Sequence, residues 1–181
     1  NGSRFLLDRT RGEDMQLFLD PLTNVYSRRY FETYRTHLEG MEGVALIDVN
    51  NFKLINDRCG HAAGDAALRD IANAVRSCIR KTDILIRYGG DEFVILLKDY
   101  SYDDVKEKLQ QFTMAPKTFS YKGKEHQFSI SLGYAEYPTF ASNRSQLMRC
   151  ADAALYEIKL HEKNGCMAYR EGLQSGIRKQ L

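Results

Sequence analysis

The sequence predicts a single α/β domain built around a central sheet, and three observations lead to this prediction. Residues 44–47 are a short apolar run with the length and composition of a buried strand. Residues 64–79 repeat apolar side chains at intervals of three and four, as an amphipathic helix does. Residues 83–97 contain two apolar segments separated by a tight glycine turn, which is typical of a β-hairpin.

Length and composition agree with one globular domain. A chain of 181 residues buries about 70% of its unfolded surface, so it needs neither disulfides nor metal to fold. The chain is 43% hydrophobic and 28% charged, which is ordinary for a globular protein. Its 26 basic and 24 acidic side chains give a net charge of +2, which argues against a protein that coats a nucleic-acid polymer. A local basic site for a small phosphorylated ligand remains compatible with this balance.

The cysteines and the apolar runs exclude other classes. The four cysteines are widely spaced, with no CxxC pair and no Cys/His cluster, which favours free thiols in a reducing cytoplasm over a zinc site or a redox dithiol. No apolar run approaches the roughly 18 residues of a membrane span, and no signal peptide is visible. The chain begins abruptly at Asn1, so upstream parts of the parent protein, including any membrane segment, would lie outside it.

The other predicted elements follow from periodicity and chain breakers. Further helices are expected at residues 4–19, 27–38, 101–112 and 145–163. A second hairpin is expected to pair residues 119–121 with residues 128–134 around a Lys122-Gly123 turn. Gly165 is expected to cap the last helix, ahead of an edge strand at residues 166–169.

The tip of the first hairpin carries acidic side chains. Gly89 and Gly90 are followed at once by Asp91 and Glu92. Glycine at such a tip allows positive φ and lets a ligand approach the backbone closely. The two acids are placed to hold a hard cation, which prefers oxygen ligands. A solvated acidic turn would have the same sequence, so the turn alone leaves both interpretations open.

A second polar segment begins where the strand at residues 44–47 should emerge. Asp48 lies at that point, and a lone carboxylate there is costly unless it is paired or bound to a metal. A loop carrying Asn56 and Asp65 is expected to follow before the helix begins. Amide and carboxylate oxygens can accept the two neighbouring N–H donors of a guanine edge. Asp65 could instead be only a helix N-cap, so both interpretations stand.

Taken together, five segments resemble the GGDEF domain of bacterial diguanylate cyclases, in the family's order and spacing over roughly residues 20–170. They are Asp20-Pro21-Leu22-Thr23, the segment from Asp48 to Asp65, Gly89-Gly90-Asp91-Glu92-Phe93, Ser129-Ile130-Ser131-Leu132-Gly133-Tyr134-Ala135 and Ala151-Asp152-Ala153-Ala154-Leu155-Tyr156. The resemblance implies a central, mostly antiparallel sheet flanked by helices, similar to the adenylyl cyclase catalytic core and the polymerase palm. It divides the chain into a lead-in signalling helix (1–19), the GGDEF domain (20–172) and a C-terminal tail (173–181).

The resemblance also implies an activity, in which two GTP condense to cyclic di-GMP with release of two pyrophosphates. In that family the 3′-hydroxyl of one GTP attacks the α-phosphate of the other across a homodimer, with Mg²⁺ or Mn²⁺ assisting. A non-catalytic module that binds GTP or cyclic di-GMP is the alternative, and a cyclase making a mononucleotide follows from fold likeness alone. We expect a cytoplasmic domain, controlled by an upstream sensory domain, whether or not the parent protein is anchored in the inner membrane.

Roles for individual residues follow from the same resemblance. The implied metal ligands are Asp48, the carbonyl of Val49, Asp91 and Glu92, of which Asp91 and Glu92 are also the catalytic residues. The implied contacts to GTP are Asn56 and Asp65 at the guanine and Phe52, Lys53, Lys159 and Lys163 at the phosphates. Lys163 stands where the family usually has an arginine, so it keeps the charge but lacks the planar fork that grips phosphate.

Arg80 and Asp83 match the family's RxxD inhibitory site, where the product binds away from the catalytic centre. Arg80 could instead only end the preceding helix near its negative pole, which is the alternative interpretation. Arg87 occupies a further family-like position close to the glycine turn.

Overall fold

The computed structural model describes residues 15–34, 43–98, 102–136, 144–161 and 165–168. The helices in that part of the chain are α1 (Met15–Phe18), α2 (Arg28–Thr33), α3 (Phe52–Cys59), α4 (His61–Cys78), α5 (Tyr102–Met114) and α6 (Arg144–His161). The strands are β1 (Tyr26–Ser27), β2 (Gly43–Val49), β3 (Ile84–Arg87), β4 (Glu92–Leu97), β5 (Lys117–Tyr121), β6 (Lys124–Phe128), β7 (Ile130–Glu136) and β8 (Gly165–Ala168). Most of the predicted lead-in helix, Lys163 and the predicted tail lie outside the described residues. None of the described helices has the length and apolar character needed to span a membrane.

Six strands form one mixed sheet in the order β1-β3-β4-β2-β7-β8. The three central pairings, β3 with β4, β4 with β2 and β2 with β7, are antiparallel. The two outer pairings, β1 with β3 and β7 with β8, are parallel. Strands β5 and β6 form a separate antiparallel hairpin. The prediction of a central, mostly antiparallel sheet is confirmed.

Helices cover both faces of the sheet. Along β2, the side chains of Ala45 and Ile47 belong to the core that includes α4 and α5. Those of Val44 and Leu46 belong to the core that includes α2 and α6. A strand buried on both faces needs a continuous apolar run, which is why residues 44–47 show no polar alternation. By the same alternation, Asp48 lies on the face covered by α6.

Gly133 allows α6 to approach the sheet closely. A Cβ atom at this position of β7 would lie 2.2 Å from the backbone oxygen of Ala151 and 2.5 Å from the backbone nitrogen of Leu155. Both clashes are with the backbone, which a rotamer change cannot relieve. This glycine of β7 therefore fixes the distance of α6 from the sheet, and the last turn of α6 reaches the end of β2.

Several element bounds differ from the sequence-based predictions. Residues 52–59, expected to be a loop, form α3, which buries none of its residues fully. Helix α4 begins at His61, three residues before Gly64. The partner of β5 is β6, which the sequence does not predict as a strand because its residues are mostly polar. The predicted partner, Ile130–Glu136, instead pairs with β2 inside the large sheet. Gly165 is the first residue of β8 rather than a helix cap.

Asp20 links the beginning of the domain to the β3–β4 hairpin. The backbone N–H and the hydroxyl of Thr23 donate to its Oδ2 at 2.9 and 2.7 Å. The guanidinium of Arg87 donates to both of its carboxylate oxygens, at 3.1 and 3.2 Å. Burial raises the pKa of Asp20, but the hydrogen bonds from Thr23 and the charge of Arg87 outweigh it, so its pKa lies below the ordinary value of 3.8.

We expect Asp20→Asn to lower the free energy of unfolding by about 1 kcal/mol near neutral pH, because a charge-assisted hydrogen bond between Arg87 and a carboxylate becomes a hydrogen bond to a neutral amide. A depressed pKa contributes stability that is fully present above the unfolded-state pKa and is lost as the pH falls through the folded-state pKa. The difference between wild type and variant should therefore be constant above about pH 5 and shrink below the ordinary pKa of 3.8.

Urea denaturation at several pH values measures this difference. Glu32→Gln is the matched control, because it breaks the exposed Arg28–Glu32 pair and should change the free energy of unfolding by less than about 0.5 kcal/mol. A deficit in Asp20→Asn that stays the same at about pH 3 would contradict the assigned role of the ion pair.

Candidate active site

Two acidic residues lie opposite each other at the end of the central strands. Asp48, the penultimate residue of β2, is only 6% exposed. In the antiparallel pairing it lies directly opposite Glu92, the first residue of β4. Residues directly opposite each other project from the same face, and like charges there are destabilising. The pair therefore requires a positive charge nearby.

Lys159 of α6 supplies a positive charge on that face. Its ammonium donates a hydrogen bond to Oδ2 of Asp48, and burial lowers the pKa of Lys159. The other oxygen, Oδ1 of Asp48, is buried and has no hydrogen-bond partner among the described residues. Buried polar atoms in native proteins are nearly always paired, so an unpaired carboxylate oxygen points to a ligand. Lys159, predicted at the triphosphate, lies here on the predicted metal ligand Asp48.

The glycine turn is held by backbone hydrogen bonds. The N–H groups of Tyr88 and Gly89 both donate to the carbonyl of Glu92, at 2.9 and 3.2 Å, and Arg87 donates to the carbonyl of Gly90 at 2.8 Å. Neither glycine has a positive φ, although glycine would allow that conformation. A Cβ atom at Gly90 would meet nothing within 4 Å. The glycine therefore leaves an open backbone surface, which suits the close approach of a ligand.

Asp91 is held beside the end of β2. The N–H of Val49 donates to the backbone oxygen of Asp91 at 3.3 Å. Burial raises the pKa of the Asp91 carboxyl, although its own backbone N–H and the charge of Arg87 act in the opposite direction. A carboxylate whose charged form is disfavoured by burial gains from a nearby cation. The turn thus places the backbone of a third acidic residue beside Val49, which follows Asp48 in the chain.

These acids fit a divalent cation that brings further ligands with it. Among the residues that the structure describes, no three His, Cys, Asp or Glu side chains form a ready-made metal site. Mg²⁺, however, is usually held by one or two carboxylates, water and substrate phosphates rather than by a cage of protein ligands. The unpaired Oδ1 of Asp48, with Asp91 and Glu92 on the neighbouring chain segment, fits that mode of binding.

A second unpaired acceptor lies where α3 meets α4. The chain bends sharply at Gly60, whose φ of +90° favours glycine, and its N–H donates to the carbonyl of Asn56 at 2.8 Å. The bend packs the side chain of Asn56 against Gly64, where a Cβ atom would lie 1.9 Å from Oδ1 of Asn56. That oxygen is buried and has no partner in the described part of the chain. Gly64 is therefore a site residue that sequence reasoning missed.

Asp65 follows Gly64 inside α4. The N-cap position of this helix belongs to Gly60, so the interpretation of Asp65 as a helix cap is wrong. Asp65 is partly exposed and directly follows the residue against which Asn56 packs. The structure therefore brings the two predicted guanine-reading residues to one junction.

Phe52 and Lys53 form the first turn of α3. The helix begins after Asn51, which has a φ of +54° and whose side chain does not cap the helix. The side chain of Asn51 therefore does not satisfy the N–H groups of the first turn. Helix N-termini attract anions, which agrees with the prediction that phosphates bind here.

Asn50 fixes the chain between Asp48 and α3. Its amide donates to the hydroxyl of Ser129 at 2.9 Å and its Oδ1 accepts from Ser131 at 2.8 Å. This neutral amide ties the segment to β7, and sequence reasoning assigned it no role in the site.

The predicted inhibitory residues divide into one exposed and one buried side chain. Both carboxylate oxygens of Asp83 accept backbone N–H groups, from Arg80 at 2.9 Å and from Lys98 at 3.2 Å, and its side chain has no exposure. Helix α4 ends at Cys78, before Arg80, and the guanidinium of Arg80 donates to the carbonyl of Lys98. Arg80 borders a cleft of about 400 Å³ that Arg76 and Lys81 also line. Asp83 therefore supports the hairpin from a buried position in the wall of the cleft, while Arg80 is the more exposed of the two.

Comparison with known proteins places these features in a family. Residues 17–165 match the family described as diguanylate cyclase, GGDEF domain. Diguanylate cyclase A of Treponema denticola is 33% identical over 158 residues, covering 80% of this chain and 42% of that protein. Diguanylate cyclase TpbB of Pseudomonas aeruginosa is 36% identical over 151 residues, covering 77% of this chain and 34% of that protein. The chain thus spans less than half the length of these curated relatives.

Solved structures share the fold. The isolated GGDEF domain of TpbB from Pseudomonas aeruginosa matches with a TM-score of 0.72 and 34% identity, over 84% of this chain and 94% of that chain. The GGDEF domain of DgcB from Caulobacter crescentus, solved in complex with c-di-GMP, matches with a TM-score of 0.72 and 27% identity, over 83% and 95% of the two chains. The chain, with its acidic glycine turn opposite Asp48, therefore belongs to the GGDEF domain family of diguanylate cyclases.

Proposed function

We propose that this domain condenses two GTP molecules into cyclic di-GMP with release of two pyrophosphates. One observation carries the proposal. Among the described residues, three buried side-chain polar atoms lack a hydrogen-bond partner: Oδ1 of Asp48, Oδ1 of Asn56 and Nε of Arg87. The first lies at a predicted metal ligand and the second at a predicted guanine contact. Unpaired acceptors at both positions support a ligand with a cation at one end and a base with N–H donors at the other.

The base end favours guanine over adenine. Guanine presents two adjacent N–H donors on its Watson–Crick edge, and Asn56 and Asp65 offer acceptor oxygens. A site built to accept hydrogen bonds discriminates strongly against a base that cannot donate them, because its buried acceptors would stay unpaired. The phosphates would then extend toward the N-terminus of α3, with Lys53 and, outside the described residues, Lys163 as counter-charges.

The acidic end performs the chemistry. A divalent cation held by Asp48, Asp91 and the carbonyl of Val49 would neutralise the phosphate charge and favour ionisation of the 3′-hydroxyl. Glu92, opposite Asp48 in the sheet, either completes this ligand set or accepts the proton of the hydroxyl. Phosphoryl transfer rests mainly on positioning and charge neutralisation, so a few well-placed acids suffice.

A homodimer follows from the symmetry of the reaction. Each domain offers one base-reading junction and one acidic site, whereas the product joins two guanosines through two equivalent bonds. Two domains that face each other across a two-fold axis present each 3′-hydroxyl to the other nucleotide. An upstream sensory domain would act by controlling this pairing, and the cleft beside Arg80 would bind the product as an inhibitor.

Synthesis is tested by fusing the chain to a parallel dimeric coiled coil, so that pairing of the domains is not limiting. We expect the fusion to form cyclic di-GMP from GTP and Mg²⁺, measured by mass spectrometry. Asp91→Asn and Glu92→Gln should lower the rate by roughly 100-fold or more, because the charge at the reacting phosphate is lost. Glu125→Gln, at an exposed position of β6, is the matched control and should keep the wild-type rate.

The same assay distinguishes synthesis from the main alternative, a module that only binds the nucleotide. A fusion that binds GTP in calorimetry but forms no product on long incubation would contradict synthesis and favour a regulatory module that binds the nucleotide.

The base-reading junction is tested by Gly64→Ala. The added methyl group would occupy the position of Oδ1 of Asn56, so that side chain must turn away. We expect the affinity for 3′-deoxy-GTP, which lacks the attacking hydroxyl, to fall about tenfold in calorimetry. The melting temperature should change little, because the better helix propensity of alanine offsets the displacement of Asn56 and a contact of 3.1 Å between the added Cβ and Cζ of Phe52.

A double-mutant cycle supplies the control for this effect. Asn56→Ala should lose a similar amount of affinity, and adding Gly64→Ala to it should cost little more. Wild-type affinity in Gly64→Ala, or fully additive losses in the double variant, would show that Asn56 does not read the base from this position.

A further inference from the structure

The ion pair between Asp48 and Lys159 joins a carboxylate on a rigid strand to an ammonium group on a flexible side chain. The Asp48 side chain is 9% exposed and is carried by a central strand of the sheet, whereas that of Lys159 is 28% exposed and lies in the last turn of α6. A lysine ammonium on its flexible four-carbon stem can change partners by rotamer changes alone. The ammonium uses Oδ2 of Asp48 and leaves Oδ1 without a partner in the described residues.

We propose that Lys159 is an exchangeable counter-ion. Its ammonium group neutralises Asp48 until a divalent cation arrives together with GTP, and the side chain then turns so that the ammonium group pairs with the phosphate oxygens instead. This inference rests on the proposed function, because it needs a metal–nucleotide complex as the ligand. It adds to that function a preference for the form in which the cation enters the site. The site discriminates against the free cation and admits the cation–nucleotide complex.

This preference follows from the charges at the site. A divalent ion that approached Asp48 alone would meet the ammonium of Lys159 at short range, and the two positive charges would repel each other. The displaced ammonium would also lose its carboxylate partner. A metal–nucleotide complex brings phosphate oxygens with it, and these are strong acceptors for an ammonium group. The exchange of partners is therefore favourable only for the complex, which makes the binding of metal and nucleotide cooperative.

The sheet explains why a cation is needed at Asp48 at all times. Glu92 lies directly opposite Asp48, so two acids share one face at the end of β2 and β4. A permanent high-affinity metal would satisfy them, but the described residues offer no ready-made three-ligand site. Lys159 supplies the charge from α6 and can be replaced when the complex binds.

The test measures binding of free Mn²⁺ by electron paramagnetic resonance, separately from nucleotide binding. We expect Lys159→Met, which keeps the apolar stem without the charge, to bind free Mn²⁺ about tenfold more tightly than wild type. The same variant should bind the Mg²⁺ complex of 3′-deoxy-GTP about tenfold more weakly. Lys53→Met is the matched control: it removes one charge near the phosphates and should leave the affinity for free Mn²⁺ unchanged. Opposite changes in the two affinities distinguish an exchangeable counter-ion from a simple phosphate contact.

Stability provides a second readout. Lys159→Met leaves Asp48 without its ammonium partner, so its melting temperature should fall and Mn²⁺ alone should restore it. Lys159→Gln, which keeps a donor for Asp48 but no charge, should show the same increase in affinity for free Mn²⁺. Affinity for free Mn²⁺ at or below that of wild type in both variants would overturn the proposal. So would variants that fail to fold even with Mn²⁺, because the ion should replace the ammonium.

Asp48→Asn separates this inference from the proposed function. If Asp48→Asn and wild type bind Mn²⁺ equally well in the presence of 3′-deoxy-GTP, Asp48 is not a metal ligand and the proposed catalytic site fails with the inference. If Asp48→Asn loses the ion while the Lys159 variants leave the affinity for free Mn²⁺ unchanged, only the counter-ion exchange is wrong.

Discussion

A carboxylate at the buried end of the central strand is the constraint on which the rest of the site depends. Asp48 is almost inaccessible to solvent, faces another acid across the sheet and so requires a positive charge from its surroundings. Helix α6 delivers that charge because Gly133 lets the helix lie close to the sheet. Close packing on one face thereby sets the electrostatics at the end of the strand, and the ammonium of Lys159 leaves one oxygen of the acid for a ligand.

The backbone between the two unpaired acceptors is short and well braced. Asn50 ties the end of β2 to β7, and the bend at Gly60 packs α3 against α4. Arg87 braces the other side, since it bridges Asp20 at the start of the domain and the carbonyl of Gly90 in the glycine turn. The site is therefore assembled from three chain segments, each held by interactions that do not involve a ligand. Such preorganisation suits a reaction that rests on positioning.

Sequence patterns located the acids but not their environment. The glycine turn and the apolar runs around it predicted the β3–β4 hairpin, and the position of Asp48 after an apolar run predicted a buried carboxylate. Helix α3 was missed because it buries no residue fully, and β6 because its residues are polar. The pairing of Asp48 with Lys159 joins residues 111 positions apart, and the role of Gly64 depends on the rotamer of a residue in another helix. Such contacts arise from tertiary packing, and no local periodicity encodes them.

The central claim is that the unpaired oxygens of Asp48 and Asn56 are the two ends of one nucleotide site. A crystal structure of the domain with Mg²⁺ and 3′-deoxy-GTP tests it most directly. The account predicts the cation on Oδ1 of Asp48 and a guanine N–H group within hydrogen-bond distance of Oδ1 of Asn56. A nucleotide bound elsewhere, with both oxygens still lacking a partner, would contradict it.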